Sequence, residues 1–351
     1  MKKFIRNQLD NLKPTFEPGG KLAMFYSVFE GMDSFLFVSN ETGSETGTHI
    51  HASNDLKRAI TLVIIALIPC VLFGMYNVGY HHFIAIGESA GFISSFFYGL
   101  LAVLPMLVVS YGVGLGIEFA LAQWKGYKIQ EGFWVSGMLI PMILPVETPL
   151  WMIGVATAFS VLICKAVFFR TGFNIWTPAL ITCAFLFFVY PSNAGGPLSY
   201  WDMFWGLIPG SVGETSKLCI LIGAIILLAT GIASWRTMVS VFAGGLLTAW
   251  IFNWINASPA MQISPLQHIL LGGFAFGAVF MATDPVTSPR TRNGKYVFGF
   301  LTGLSAIVIR VLTGYPESMM FAILLMNLFT PLIDYCVVQT NVQQRLKRIK
   351  K

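Results

Sequence analysis

The sequence predicts an all-α polytopic membrane protein with about ten transmembrane helices, arranged as two inverted repeats of five helices. Three observations predict this fold: an apolar composition, an internal repeat, and an uneven distribution of basic residues among the loops. Of the 351 residues, 55% are hydrophobic and only 11% are charged. This composition excludes a soluble globular protein. No signal-peptide pattern precedes the first apolar run near Ala59, so we expect the first hydrophobic helix to direct insertion.

The internal repeat is centred on two proline-rich elements that interrupt apolar runs. The pattern Pro-Val-x-x-Pro occurs at residues 145–149 and again 140 positions later, at residues 285–289. The same offset pairs Gly137 with Gly277 inside the preceding apolar runs. Duplicated membrane proteins place such breaks in discontinuous helices at their binding sites. A proline-capped loop between two spans is the alternative for the proline pair taken alone.

Ten apolar segments of suitable length follow an amphipathic N-terminal arm. We expect spans at 59–78, 91–123, 133–144, 150–169, 176–190, 218–234, 237–255, 268–283, 296–312 and 319–338. The predicted organisation is a cytoplasmic arm (1–58), a first repeat (59–190), a short periplasmic connection (191–217), a second repeat (218–338) and a basic cytoplasmic tail (339–351). The third segment is short enough that it need not cross the bilayer completely.

The basic residues test the inverted arrangement independently, because cytoplasmic loops carry an excess of Lys and Arg. With the N-terminus inside, the predicted inside loops and the tail hold Lys125, Lys128, Arg170, Arg236, Arg290, Arg292, Lys295, Arg345, Lys347, Arg348, Lys350 and Lys351. The outside loops, taken as 81–90, 145–149, 191–215, 256–265 and 313–318, hold neither Lys nor Arg. The net charge of +6 therefore reports membrane topology and predicts no nucleic-acid partner. We therefore expect both termini in the cytoplasm.

Four charged residues fall inside or beside apolar segments: Glu118, Lys165, Arg310 and Asp334. A charge at the centre of a membrane helix costs about 2.5 to 3.5 kcal/mol on insertion scales, so each is a candidate site residue. A carboxylate at Glu118 or Asp334 can coordinate Na+ together with backbone carbonyls that broken helices leave free. A structural salt bridge with Lys165 or Arg310 is the alternative.

The residues that precede Glu118 are rich in glycine. Gly112, Gly114 and Gly116 alternate with apolar residues, so another backbone or a planar ligand can approach this helix closely. A helix-packing seam is the alternative. The five cysteines stand singly, which predicts neither an iron–sulfur cluster nor disulfides, and we expect no metal site.

Longer motifs carry a resemblance to a known family. They are Phe-Glu-Pro-Gly-Gly at 16–20, Glu-Gly-Phe at 131–133, Ala-Phe-Leu-Phe-Phe at 184–188, Ile-Pro-Gly-Ser-Val-Gly-Glu at 208–214, Gly-Gly-Phe-Ala-Phe-Gly at 272–277 and Met-Ala-Thr-Asp-Pro-Val at 281–286. Over nearly its whole length the chain resembles the B-type membrane component of the Na+-translocating NADH:quinone reductase. The D-type membrane component of the Rnf electron-transport complex shares the Thr-Asp-Pro-Val region but resembles the chain less.

The resemblance implies a membrane subunit that carries flavins, passes electrons toward quinone and helps to move Na+. It implies partner subunits as well, because the sequence has no nucleotide-binding glycine loop. The acidic positions of the family that are implicated in ion uptake fall on Glu30, Glu118 and Asp334. The quinone-side glycine pair of the family falls on Gly114 and Leu115, close to Gly112, so one member of the pair differs here.

The cofactors implied by the resemblance are FMN and riboflavin, with Na+ as the transported ion. In the family, FMN is attached to the threonine of a Ser-Gly-Ala-Thr motif between the fifth and sixth helices. The sequence has no such motif, and the connection that should carry it is short, so we predict that covalent FMN is absent. The residues that match the other flavin pocket are Asn174, Thr177, Thr283 and Asp284. An arginine expected nearby is Cys183, which weakens the expectation of riboflavin binding.

The leading hypothesis is therefore a membrane subunit of a Na+-pumping NADH:quinone oxidoreductase. Its partners would be the other subunits, quinone, Na+ and membrane lipid. A flavin-free ion transporter or channel, or a scaffolding homologue, is the alternative that the missing threonine motif leaves open.

Overall fold

The structure is a computed structural model that describes residues 2–16, 20, 29, 56–88, 91–125, 133–167, 176–189, 199–315 and 317–349. These described parts of the chain are helices joined by turns and short irregular segments, and they contain no β-strand. The expected all-helical fold is therefore confirmed.

The helices are numbered here in chain order. They are α1 (Lys2–Phe16), α2 (Leu56–Ile86), α3 (Phe92–Lys125), α4 (Phe133–Met142), α5 (Leu150–Val161), α6 (Pro178–Val189), α7 (Tyr200–Trp205), α8 (Lys217–Ala229), α9 (Trp235–Ile255), α10 (Pro265–Leu270), α11 (Phe274–Phe276), α12 (Arg292–Thr313) and α13 (Ser318–Ile349). Two of them continue as π-helix, α5 through Leu162–Val167 and α11 through Gly277–Met281. A short 3-10 helix, Pro259–Gln262, precedes α10.

Five of the described helices are long and apolar enough to cross a bilayer. These candidate spans are Ala59–Ile86, Phe92–Trp124, Trp235–Ile255, Arg292–Thr313 and Ser318–Arg348. Several spans in one chain mean that the protein is a multi-pass membrane protein. The ten crossings and the inverted repeats stay predictions, because several of the other predicted segments are short helices.

The third predicted segment is one of these short helices. It forms α4, whose 10 residues extend about 15 Å, roughly half of the hydrocarbon thickness. The eighth segment is broken into α10 and α11, which the sequence prediction had treated as one continuous span. The break lies at Gly272, whose φ of 55° belongs to the left-handed region that glycine adopts without strain.

Close helix contacts through glycine hold the second half of the chain together. Helix α9 packs along α12, and a Cβ at Gly303 would overlap the carbonyl oxygen of Val241. At Gly244 a Cβ would overlap the carbonyl oxygen of Phe300 in the same way. Small residues let membrane helices approach until their backbones touch, so α9 and α12 form one closely packed pair.

The segment before α8 joins the two predicted repeats. The Val212 amide donates to the carbonyl oxygen of Leu144 (3.3 Å), and the Gly213 amide donates to that of Met142 (2.7 Å). These bonds satisfy carbonyls at the C-terminal end of α4, which would otherwise lack partners. The segment is thereby held beside the first proline element.

Candidate functional site

The break between α10 and α11 is the centre of a buried group of charged residues. Helix α10 ends at Leu270, and the next helix, α11, begins at Phe274. A helix that ends leaves its last carbonyl groups without intrahelical partners, and a helix that begins leaves its first amides free. Inside a membrane protein both sets of groups need other partners.

Two cationic side chains bind the carbonyl end of this break. Arg310 of α12 donates through Nη1 to the His268 carbonyl oxygen and through Nη2 to that of Leu271, at 3.2 Å. Lys217, the first residue of α8, donates from Nζ to the Gly272 carbonyl oxygen at 3.0 Å. Both cationic side chains are buried. The carbonyls that the sequence offered as ligands for Na+ are therefore bound, at this break, by cations of the protein itself.

Two carboxyl groups lie on the other side of the break. Glu214 packs against Gly273, directly before α11, where an added Cβ would collide with its carboxylate. The Ser211 hydroxyl bonds to Glu214 and also to Glu317, which precedes α13. Cys183 donates from its thiol to Glu317 Oε2 at 3.2 Å. The two acidic residues thus share one hydroxyl partner, with Glu214 buried and Glu317 partly buried.

Burial determines the protonation of this acidic pair. Burial raises the pKa of the Glu214 carboxyl well above its usual range, and the nearby Glu317 raises it further. The pKa of the Glu317 carboxyl is raised as well, chiefly by burial. Two desolvated carboxyl groups side by side disfavour double ionisation. The pair therefore holds a proton more tightly than exposed carboxyl groups do.

Sequence reasoning did not identify Glu214, Lys217 or Glu317 as site residues. Glu214 ends one of the motifs that carry the resemblance, and Lys217 stands at the edge of a connection predicted to be outside, where basic residues are rare. This exception to the charge pattern was the available signal. Lys217 is only 6% exposed, so it is part of the protein interior and not of a solvated loop.

Asp334 stabilises the start of α12. Its carboxylate accepts hydrogen bonds from the amides of Arg290 (2.9 Å) and Thr291 (3.1 Å), and from the Thr291 hydroxyl. Acidic groups at helix N-termini satisfy free amides and interact favourably with the helix dipole. The alternative of a salt bridge between Asp334 and Arg310 is wrong, because each is bound to a different set of backbone groups.

Glu118 lies on the inner face of α3 and is fully buried. One turn earlier, a Cβ at Gly114 would meet the ring of Phe133 from α4. The space that the sequence offered to a planar ligand is thus filled at Gly114 by an aromatic ring of the chain. By contrast, no described residue lies within 4 Å of a Cβ at Gly112, and Leu115 packs partly buried against the core.

The predicted flavin-pocket residues come together in part. Thr177, before α6, donates its hydroxyl to Asp284 Oδ2 at 3.3 Å, and Thr287 donates to the same oxygen at 3.1 Å. Thr283 is buried and donates its hydroxyl to the Val279 carbonyl oxygen. The structure therefore joins the second proline element to the start of α6. Two further predicted site residues, Asn174 and Glu30, lie outside the described residues, and the side chain of Lys165 does so too.

Comparisons with known proteins agree with the resemblance. The family model described as the NQR2, RnfD, RnfE family matches residues 44–343. The chain is similar to the B component of the Na(+)-translocating NADH-quinone reductase of Chromohalobacter salexigens, with 39% identity over 98% of this chain and 96% of the relative. It is 35% identical to the protein of the same name from Pseudoalteromonas atlantica and 36% identical to that from Yersinia pestis, over 98% of this chain and 99% of each relative.

The alignment with the Chromohalobacter salexigens protein is longer than this chain. It extends over 397 positions, which is 46 more than the 351 residues of this chain. The relative therefore carries residues that this chain lacks. Since the family model covers most of the chain and the relatives match nearly all of it, the protein belongs to the NQR2, RnfD, RnfE family.

Proposed function

We propose that this chain is a membrane subunit of a Na+-translocating NADH:quinone reductase, where it passes electrons toward quinone and contributes to the Na+ path. The observation that carries the proposal is the similarity, over nearly the full length of both chains, to relatives named as the B component of that enzyme. The partners are the other subunits of the reductase, quinone, Na+ and the surrounding lipid. The chain works as part of a complex and not alone.

The topology we propose has ten crossings in the bacterial inner membrane, with both termini in the cytoplasm. Each of the ten predicted segments overlaps a described helix, which supports this count. The third segment of each predicted repeat also ends in a short helical piece directly before a proline element. These pieces are α4, which ends at Met142, and the π-helical end of α11, which ends at Met281. This parallel supports a duplicated and inverted architecture.

The Na+ path is proposed to include Glu30, Glu118 and Asp334. Glu118 is the residue that we assign to direct contact with Na+, because its carboxylate is buried within a candidate span. A buried carboxylate in a membrane helix is costly, and function is a common reason for keeping it. Both carboxylate oxygens of Asp334 already accept bonds at the start of α12, so its contribution is to fix that helix.

The sequence does not fit a covalently bound FMN. The sequence lacks the Ser-Gly-Ala-Thr motif that carries the attachment threonine. In the other flavin pocket, where the family resemblance places an arginine, Cys183 is buried and donates to Glu317, so this position offers no cation to a flavin. The Thr177 hydroxyl is bound to Asp284. We therefore assign no covalent FMN to this chain and route no electron-transfer step through one.

The Na+ assignment is tested with Glu118→Gln in the purified complex. The amide keeps the shape of the side chain but removes the charge that attracts Na+. We expect a higher Na+ concentration for half-maximal NADH:quinone turnover, by about tenfold, which corresponds to roughly 1.4 kcal/mol of binding free energy. The matched control is Glu147→Gln, an exposed carboxylate in the first proline element, which should leave the Na+ dependence unchanged.

Two outcomes would count against this proposal, and they differ. If Glu118→Gln and wild type share the same Na+ dependence, the ion-path assignment is wrong while the subunit assignment stands. If the chain does not copurify with a NADH-oxidising complex, the subunit assignment itself is wrong.

A flavin-free ion transporter or scaffolding subunit, including one similar to the D-type membrane component of the Rnf complex, is the second candidate function. The missing attachment motif favours it. Flavin content separates the two candidates: fluorescence of the denatured chain in a gel detects covalent FMN, and extraction detects riboflavin held near Asn174. Extractable riboflavin supports an electron-carrying subunit, whereas its absence supports the second candidate.

A further inference from the structure

The carbonyl groups at the end of α10 have the chemistry of a cation site. In discontinuous membrane helices, unwound carbonyl oxygens and the negative end of the helix dipole coordinate Na+. Here the carbonyl oxygens of His268, Leu271 and Gly272 accept hydrogen bonds from Arg310 and Lys217. These carbonyl oxygens are suitable ligands for Na+, but the cations that they bind here are side chains of the protein.

Both tethered cations are held in place by the fold. Arg310 is on α12, within a candidate span that packs along α9, and is 7% exposed. Lys217 begins α8 and also donates to the Glu214 carbonyl oxygen at 2.6 Å. Each cation therefore reaches the break from a different helix. Neither can leave without moving the start of a helix or exposing a buried carbonyl group.

Acidic side chains lie beside the start of α11, on the amide side of the break. The Glu214 carboxylate packs against Gly273, the residue directly before α11. The groups that face the break are thus Lys217 and Arg310 on one side, and Glu214 with the adjacent Glu317 on the other. The break therefore carries two cationic and two acidic side chains of the protein itself, and its carbonyl groups are bound without a soluble ion.

We propose that Lys217 and Arg310 are built-in counter-ions that exclude Na+ from the helix break, so that transported Na+ follows the path that contains Glu118. This inference rests on the proposed function as a Na+ pump. Its consequence is that removing either positive charge converts the carbonyl cluster into a site for a small soluble cation. The two residues act as positioning residues that determine where Na+ can bind.

The first test measures passive entry of radioactive Na+ into proteoliposomes that contain the complex, without NADH. Lys217→Met and Arg310→Met keep much of the side-chain volume and remove the charge. We expect passive Na+ entry to rise by about tenfold in either variant, because a fixed positive charge in low-dielectric surroundings strongly opposes a second cation. Arg310→Lys, which keeps the charge, is the matched control and should leave passive entry at the wild-type level.

A second measurement covers the case in which the methionine variants fail to assemble. In Lys217→Ala, the vacant space should bind a small cation, so that Na+ or methylammonium raises the thermal stability of the complex relative to choline. The wild-type complex, whose carbonyl cluster is already occupied, should show a smaller difference between these salts. This readout does not depend on turnover.

The outcomes separate this inference from the proposed function. Methionine variants with wild-type passive entry, or Lys217→Ala with the salt response of wild type, would overturn the counter-ion role. Wild-type turnover that is independent of Na+ would overturn the proposed pump, whatever the variants do. Restoration of the wild-type barrier by Arg310→Lys distinguishes a charge effect from a general loss of packing.

Discussion

Replacing Gly114 with alanine places a methyl group where the ring of Phe133 lies. A Cβ at this position would be 1.8 Å from Phe133 Cζ. Non-bonded carbon atoms are most stable at about 3.5 to 4.0 Å, so the ring has to move by roughly 2 Å. Phe133 is only 1% exposed, and the neighbouring Gly137 also lies close to its ring, so little free space exists for this movement.

The expected cost combines two opposing effects. Alanine favours the helical state over glycine by about 1 kcal/mol. Forcing extra atoms into a packed core costs about 1 to 3 kcal/mol, and a collision with a buried aromatic ring belongs at the upper end. We therefore expect Gly114→Ala to lower the free energy of unfolding by about 1 to 2 kcal/mol.

The assay compares the thermal stability of purified complexes that carry Gly114→Ala or Gly112→Ala. Gly112 is the matched control, because it lies in the same helix two residues earlier and no part of the described chain comes within 4 Å of an added Cβ. Gly112→Ala should therefore be neutral or slightly stabilising. Adding Phe133→Leu to Gly114→Ala should recover part of the loss, with a coupling energy of about 0.5 to 3 kcal/mol between the two positions.

Equal stabilities for Gly114→Ala and Gly112→Ala would refute this reasoning, because the ring of Phe133 would then not fill the space at Gly114. A second readout concerns quinone. If Gly114→Ala changes the KM for quinone through the displaced ring, Phe133→Leu should change the same parameter.

Two further predictions concern the acidic residues Asp334 and Glu317. Asp334→Asn leaves only one side-chain oxygen to accept the hydrogen bonds at the start of α12. We expect the free energy of unfolding to fall by about 1 to 2 kcal/mol, equally in Na+ and in K+ buffers. A loss of stability in Na+ buffers alone would contradict the capping role. The Glu317 carboxyl faces Glu214, Ser211 and Cys183, and its pKa is raised in the folded protein. A raised pKa stabilises the folded state at pH values below the ordinary carboxyl pKa. This stabilisation is lost as the pH rises through the pKa of the folded state. Glu317→Gln should therefore lose less thermal stability than wild type as the pH rises above the ordinary carboxyl pKa. Parallel pH profiles of the two proteins would show that the carboxyl is not responsible.

The local features of this protein could be predicted because each depends on a single stretch of chain. Apolar runs such as the one near Ala59 form helices, since a membrane leaves the backbone no other partner than itself. The glycine pair at residues 272–273 stops a helix for an equally local reason, although its position within one predicted span was missed. Long motifs also assigned the family correctly.

The partners of the charged side chains could not be predicted in this way. Arg310 binds carbonyls 39 and 42 positions earlier, and Asp334 binds amides 43 and 44 positions earlier. From the sequence, each was equally compatible with an ion site or with a salt bridge. The packing of α10, α12 and α13 determines which backbone groups Arg310 and Asp334 bind. This packing brings together residues that are far apart in the sequence.

The sequence by itself therefore determined that the chain is a helical membrane protein, which apolar stretches contain its helices, and which family it belongs to. Composition, length and motif suffice for these conclusions because burial in a bilayer acts on each apolar stretch separately. Only the tertiary structure decided that Phe133 fills the space at Gly114, and that Lys217 and Arg310 occupy the carbonyls of the break. The physical reason is that the packing of the helices determines which side chain reaches a buried polar group and which side chain fills a space beside a glycine.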